Sequence, residues 1–175
     1  DPVRVNFWRE RLNSLGNGPY IGISWKSPVM EPARLPNYTR ISDWAPVLAL
    51  PNVTFINLQS SDFAVDLAAI HNEFGVTVHN FDDLDHYDNL DDVAALSAAL
   101  DIVVSVATAA ATITAGVGTL TKLATWRQSS WNNILYSPPG PLVDIFERNT
   151  WEPWDIVFRS IAESIVDFKT MKESN

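Results

Sequence analysis

Residues 101–118, DIVVSVATAAATITAGVG, run a fully apolar strand pattern straight into a string of small residues. Ile102, Val103, Val104 and Val106 show no alternation of polar and apolar, so this strand is expected to be buried on both faces, as in a central parallel strand covered by helices on each side. Thr108 to Gly118 then offers hydroxyls and bare backbone where a helix should begin. A helix N-terminus following a strand presents unpaired N–H groups and a partial positive charge, and side chains no larger than Ala or Thr let a phosphate come close. The same small residues also suit tight packing of a helix on a sheet, with Gly116 expected to permit the approach. The segment therefore supports an anion cradle and a packing role alike.

The rest of the chain alternates strand and helix signals around that segment. Val3 to Leu15 is an amphipathic helix closed by Gly16. Strands are expected at Tyr20–Trp25, Val53–Leu58, Val76–Val78, Ile102–Val106, Leu120–Ala124 and Leu142–Phe146. Ser42 and Asp43 can cap a helix through Leu50, with Pro46 in its first turn where a missing N–H costs little. Asp62 to Phe74 is a helix ended by Gly75, and Val93 to Leu100 another. Thr150 caps a last helix, Glu152 suits its positive end, and Ile156, Val157, Ile161, Ile165 and Phe168 form its apolar stripe. Strands and helices in this alternation mean right-handed crossovers. The expected fold is α/β, a Rossmann-like three-layer α/β/α sandwich with a mostly parallel sheet of about six strands. It occupies residues 1–175 as one domain, with a lead-in helix in 1–18 and a C-terminal helix in 150–175.

Composition narrows the function. A net charge of −9 and a pI near 4.6, with only 12 Lys and Arg in 175 residues, leave too little clustered positive charge to neutralise a nucleic-acid backbone. The absence of cysteine excludes disulfides, thiolate zinc sites and cysteine nucleophiles, and fits a reducing, cytoplasmic setting. No run approaches the roughly 18 apolar residues of a membrane span. The opening DPVRVNFWRERL lacks both an initiator Met and the form of a signal peptide, as if cut from something longer.

In a parallel sheet the ligand site lies at the carboxyl ends of the strands. That edge is expected to gather Ser24–Ser27, Asn57–Ser61, Ala107–Thr112 and Trp126–Trp131. Its polar candidates are Ser24, Lys26, Asn57, Gln59, Ser105, Thr108 and Thr112, with Trp25 and Trp126 able to stack on a planar ring. Lys26 is the only lysine before Lys122 and follows a buried strand directly, where a cation facing a bound phosphate would belong; a solvated loop cation is the alternative. Arg34 and Arg40 can close over an anion or form surface ion pairs. The Asp-rich run NFDDLDHYDNLDD lacks the glycine turn and terminal Glu of a calcium loop, and Asp91 and Asp92 suit a helix start. His71, His79 and His86 sit on separate elements without zinc-ligand spacing, His71 reading as a packing residue. No GxSxG elbow exists, and Gly16, Gly18 and Gly22 precede or interrupt the first strand rather than follow it as a dinucleotide fingerprint does.

GISWKS, YTRISDWAPVL, VTFINLQSSD, the run from FDDLDHYDNLDD to the small-residue segment, and a late W-x-x-W helix start resemble, in this order, the C-terminal halves of bacterial proteins in which tetratricopeptide repeats precede a glycosyltransferase-like region. That region is distantly similar to heptosyltransferases and O-GlcNAc transferases. The resemblance implies the C-terminal, donor-binding half of a GT-B glycosyltransferase, metal-independent and with a nucleotide-sugar as substrate. By that similarity Thr108, Ala109 and their backbone meet the diphosphate, Lys26 adds a counter-charge, and Gln59, Leu90 and Asp92 border the nucleoside. Many relatives carry an acidic residue and a His where this chain has Ala107 and Thr112, which removes two side-chain contacts. Transfer would also require an N-terminal acceptor half absent from these residues, so the chain is expected to bind without turning over. A non-catalytic interaction domain, with the aromatics of Trp126–Tyr136 serving a partner or a homodimer, is the alternative.

Overall fold

The computed structural model describes residues 1–27, 38–61, 63–127, 142–149 and 151–173, with side chains described through Asp167. Six strands, β1 (Tyr20–Ser24), β2 (Thr54–Asn57), β3 (Val78–His79), β4 (Ile102–Val106), β5 (Leu120–Trp126) and β6 (Val143–Arg148), form one sheet in the order β3-β2-β1-β4-β5-β6. Every adjacent pair is parallel, so the sheet is wholly rather than mostly so. The helices are α1 (Pro2–Asn13), α2 (Ala45–Leu48, entered through a 3-10 turn at Ile41–Trp44), α3 (Phe63–Phe74), α4 (Leu90–Ala99), α5 (Ala109–Gly116) and α6 (Trp154–Glu173).

The two-residue period of the strands sorts the core into two layers. Ile21, Ile23 and Trp25 with Ile102, Val104 and Val106 pack on one face against Trp44, Val47 and Leu48, Ile70 of α3, and Phe158, Ile161 and Ile165 of α6. Ile56, Leu58 and Val103 point to the other, against Trp8 and Leu12 of α1, Val93 and Leu96 of α4 and Ala110 of α5. Each fully buried aliphatic or aromatic side chain here contributes roughly 1.5–3 kcal/mol, so the sheet's two-sided burial is the main stabilising term. Gly22 sits in β1 because a Cβ there would stand 2.7 Å from both Leu58 Cδ1 and Leu100 Cδ1.

Several element ends differ from expectation, each for a local reason. Asn89 caps α4 by accepting from Asp92 N–H at 3.3 Å, so the helix begins at Leu90 instead of Val93, with Asp91 and Asp92 in its first turn. The third strand starts at Val78 rather than Val76. Glu152 does not serve a helix start: its carboxylate accepts from Asn149 N–H at 2.8 Å, ahead of α6. The proposed cap Thr150, like Asp62, lies outside the described residues, as does the stripe residue Phe168's side chain. Gly116 is not a packing glycine, since it is exposed and a Cβ there meets nothing within 4 Å. His71 is exposed rather than packed. Among the described residues no helix is long and apolar enough to cross a membrane.

Candidate functional site

The strand order reverses direction between β1 and β4, which places a crevice outside their carboxyl ends. Ser24 and Ser105 are register partners across those strands. Thr108 closes a buried hydroxyl cluster with them, its Oγ1 lying 3.2 Å from Ser24 Oγ and 3.1 Å from Ser105 Oγ. Ser105 donates to Val106 C=O at 2.7 Å, and Ser24 can donate to Gln59 Oε1 at 3.4 Å. One hydroxyl carries one proton, so with Ser105 donating to Val106 and Ser24 to Gln59, Thr108 is left to donate to one of its two neighbours and all three protons are engaged. Drawn into that cluster, Thr108 stands as the N-cap of α5 without bonding the helix's amides through its side chain. The donors left for a ligand are therefore the backbone N–H groups of the first turn of α5, at Ala109 and Ala110, at the positive end of the helix dipole.

Gln59 holds the crevice in shape. Its Oε1 accepts from the backbone N–H of Trp25 and of Lys26, each at 3.1 Å, and its Nε2 donates to Lys26 C=O at 2.8 Å. Its own N–H donates to Asn57 Oδ1 at 2.9 Å, and Asn57 Nδ2 donates to Asn80 Oδ1 at 2.9 Å. Three strand ends, those of β1, β2 and β3, are thus tied by two buried amide side chains. Gln59 is 1% exposed and acts as a clamp behind the crevice, with no face turned to a ligand.

The Lys26 ammonium pairs with Asp66 of α3 at 2.6 Å, and the same carboxylate oxygen accepts from Trp25 Nε1 at 2.8 Å. The lysine expected to meet a phosphate thus carries an internal counter-ion at the rim. Trp25 cannot stack on a ligand: it is 2% exposed and belongs to the core on the opposite side of the sheet.

A cleft of about 280 Å³ opens at this edge, floored by Ser24, Thr108 and Ala109 and walled by Leu58, Leu90 and Ile113. Ser24, Lys26, Thr108 and Ala109 among the anticipated site residues line it, as does Leu90 from the expected nucleoside edge. Gln59 stands behind it. Arg40 lies away on the approach to the 3-10 turn, exposed, with its N–H donating to Asp43 at 2.7 Å. Thr112, one turn into α5, is exposed and directs its hydroxyl at Thr108 C=O at 3.5 Å. Trp126 ends β5 half-buried and is not among the lining residues. Arg34 and Gln128–Tyr136 lie outside the described residues.

Sequence reasoning missed His86 and Tyr87, which line the cleft from the acidic loop after β3. His86 is 9% exposed, its ring edge-on to Phe63 at 6.1 Å, and neither ring nitrogen has a hydrogen-bond partner among the described residues. Burial pushes its pKa down, and the charge of Asp85 opposes this more weakly. The one trace in the sequence is the apolar pair Phe81 and Leu84 in a loop otherwise dense in Asp; both are buried with His86 on the loop's inward side. Three carboxylates of the acidic run are engaged within the fold. Asp83 forms a two-point pair with Arg11 at 2.7 Å, Asp85 accepts from the N–H groups of Tyr87 and Asp88 at 2.8 and 2.9 Å, and Asp92 pairs with Arg4 at 2.7 Å. These bonds hold all three carboxyls below the usual range; for Asp92 burial is the largest influence and pulls upward, but Arg4 and Asn89 together outweigh it. Among the described residues no group of three or more His, Asp or Glu stands where it could hold a metal ion.

With this geometry in place, comparison with known proteins defines the fold. The chain superposes on the ADP-heptose LPS heptosyltransferase II of E. coli with a TM-score of 0.69 at 15% identity, covering 99% of this chain and 53% of that one. It superposes on a family 9 glycosyl transferase of Veillonella parvula with a TM-score of 0.62 at 10% identity, covering 91% and 44%. The fold is therefore glycosyltransferase-like, a three-layer α/β/α unit with an all-parallel six-stranded sheet matching GT-B structures. In sequence, the chain is 35% identical over 170 residues to protein FlbA of Caulobacter vibrioides, which covers 96% of this chain and 28% of that protein. It thus spans little more than a quarter of that relative's length. No family model matches the chain.

Proposed function

We propose that this chain is the nucleotide-sugar-binding half of a glycosyltransferase-like protein, with transfer requiring an acceptor-side region beyond these residues. The observation that carries the reading is the first turn of α5. Its amides, uncapped by Thr108, stand at the switch between β1 and β4, where Ala109 and Ala110 leave room for a phosphate. A leaving diphosphate is stabilised there by helix amides and dipole without a bound metal. The cleft's 280 Å³ lies just below the range of ligand sites, about 300 to 1,000 Å³, and in this reading takes the nucleoside and its phosphates while the sugar projects outward. The acceptor half, and the tetratricopeptide region that the family resemblance implies, would complete the protein in the cytoplasm.

The test is a thermal-shift panel of UDP, GDP, ADP, CMP and their sugar conjugates, without and with magnesium. A ligand at 100 times its Kd stabilises the folded state by about 2.7 kcal/mol, which raises the Tm of a domain this size by roughly 5–11 °C. Metal-independent stabilisation by one nucleotide supports the reading and names the base; no shift across the panel at millimolar ligand refutes donor binding by this chain.

A further inference from the structure

We propose that His86 is the nucleoside-recognising residue of the cleft, hydrogen-bonding the base or ribose that Leu58, Leu90, Val93 and Ile113 enclose. The inference rests on the donor-nucleotide reading and assigns the half of the ligand that the amides of α5 do not reach.

The cleft combines two kinds of lining. Its lining joins Ser24, Thr108 and the first turn of α5 to the aliphatic side chains of Leu58, just after β2, Leu90 and Val93 of α4, and Ile113 of α5. His86 enters the cleft from the β3–α4 loop with about nine-tenths of its surface buried and both nitrogens unpartnered among the described residues. A buried polar group without a partner is destabilising, and imidazole carries two such atoms. The loop does not need that cost for its own shape. Leu84 N–H donates to Phe81 C=O at 2.9 Å, and Oδ1 of the adjacent Asp85 accepts from the amides of Tyr87 and Asp88, so the loop's turns are bonded without the imidazole. Phe63, from α3, fixes the ring edge-on without offering a hydrogen bond.

Burial favours the uncharged ring, which presents one N–H donor and one bare acceptor. That pair matches a nucleoside, whose base edge and ribose hydroxyls both donate and accept, and does not match a phosphate, which at neutral pH chiefly accepts. An imidazole retained for phosphate would be expected near a helix N-terminus or a cation. This one is buried in a cleft whose lining also carries four aliphatic side chains, Leu58, Leu90, Val93 and Ile113.

Calorimetric titration of the wild-type chain, His86→Phe and His86→Gln with UDP, CDP, ADP, GDP and inorganic pyrophosphate separates the possibilities. His86→Phe keeps the ring volume and the contact with Phe63 but removes both nitrogens; His86→Gln restores a donor and an acceptor. Loss of one to two neutral hydrogen bonds predicts about tenfold weaker binding of the preferred nucleotide by His86→Phe, partial recovery in His86→Gln, and unchanged pyrophosphate affinity. Unchanged nucleotide affinity in a His86→Phe chain that melts like wild type overturns the assignment and leaves the donor reading standing. Equal losses of nucleotide and pyrophosphate also overturn it, since they place the effect at the phosphate end. If His86→Phe does not fold, His86→Gln carries the comparison, with tenfold or greater loss of both ligands counting against the role. Failure of the wild type to bind any nucleotide refutes the donor reading itself.

Discussion

Gln59→Leu removes the clamp between the ends of β1 and β2 while conserving most of the side chain's volume. Three close bonds disappear: those from Trp25 N–H and Lys26 N–H at 3.1 Å and that to Lys26 C=O at 2.8 Å. Trp25 is buried, so its N–H is left without a partner at a cost of about 1–3 kcal/mol. Lys26 is half-buried, and its N–H and C=O recover part of their bonding from water, adding about 1–2 kcal/mol between them. Removing the amide also spares its own burial and returns about 1 kcal/mol of apolar transfer. The net expectation is a loss of about 1–4 kcal/mol, read as a lower urea midpoint at constant m-value and a Tm reduced by roughly 2–16 °C. Gln59→Glu should cost at least as much, because it sets a carboxylate oxygen against Lys26 C=O. A loss below about 1 kcal/mol in Gln59→Leu would refute the clamp, showing that water or a rotated loop satisfies the same groups.

Gly22→Ala should destabilise by about 1–3 kcal/mol in denaturant titration, because its Cβ meets Leu58 and Leu100 at 2.7 Å in the closely packed layer beneath α4. Gly116→Ala, exposed and unobstructed near the end of α5, should be neutral or gain up to about 1 kcal/mol. Asp66→Asn removes the carboxylate that competes with a phosphate for the Lys26 ammonium, so pyrophosphate affinity should rise severalfold, most at low salt, as measured by calorimetry. His86 introduces acid sensitivity: below about pH 6.5 the unfolded chain takes up a proton that the buried ring refuses, so stability falls on acidification from there to its lowered native pKa. Within that window the slope approaches about 1.4 kcal/mol per pH unit, and His86→Phe should flatten it in parallel urea titrations relative to wild type.

The fold was legible because the signals that built it are local. Ile102–Val106 is apolar at nearly every position, a pattern that only two-sided burial explains, and it lies at the centre of the sheet. Alternating helices then require parallel crossovers, which fixed the class and the edge where a site belongs. Errors fell where one side chain decides a boundary, as with the Asn89 cap that moves the start of α4. Gly116 misled for a related reason: a glycine's packing role depends on whether a neighbouring layer faces it, and here solvent does.

The site was legible only as far as backbone position determines chemistry. Ser24, Thr108 and Ala109 lie at the cleft because strand ends and a helix start put them there, whatever their side chains do. What each side chain does is set by partners distant in sequence. Lys26 follows a buried strand as a phosphate ligand would, but its ammonium meets Asp66, a residue 40 positions away whose placement depends on the docking of α3. His86 presents the converse case. Amid six aspartates it reads as part of a solvated surface, yet Phe81, Leu84 and Phe63 draw the loop inward and bury it. Charge density on a sequence measures how polar a segment is on average, whereas a binding residue is the exception within it, a polar group held out of water without a partner. That exception appears only when the loop's own hydrogen bonds can be counted, because each aspartate engaged by Arg11, Arg4 or a backbone amide is one fewer available to His86.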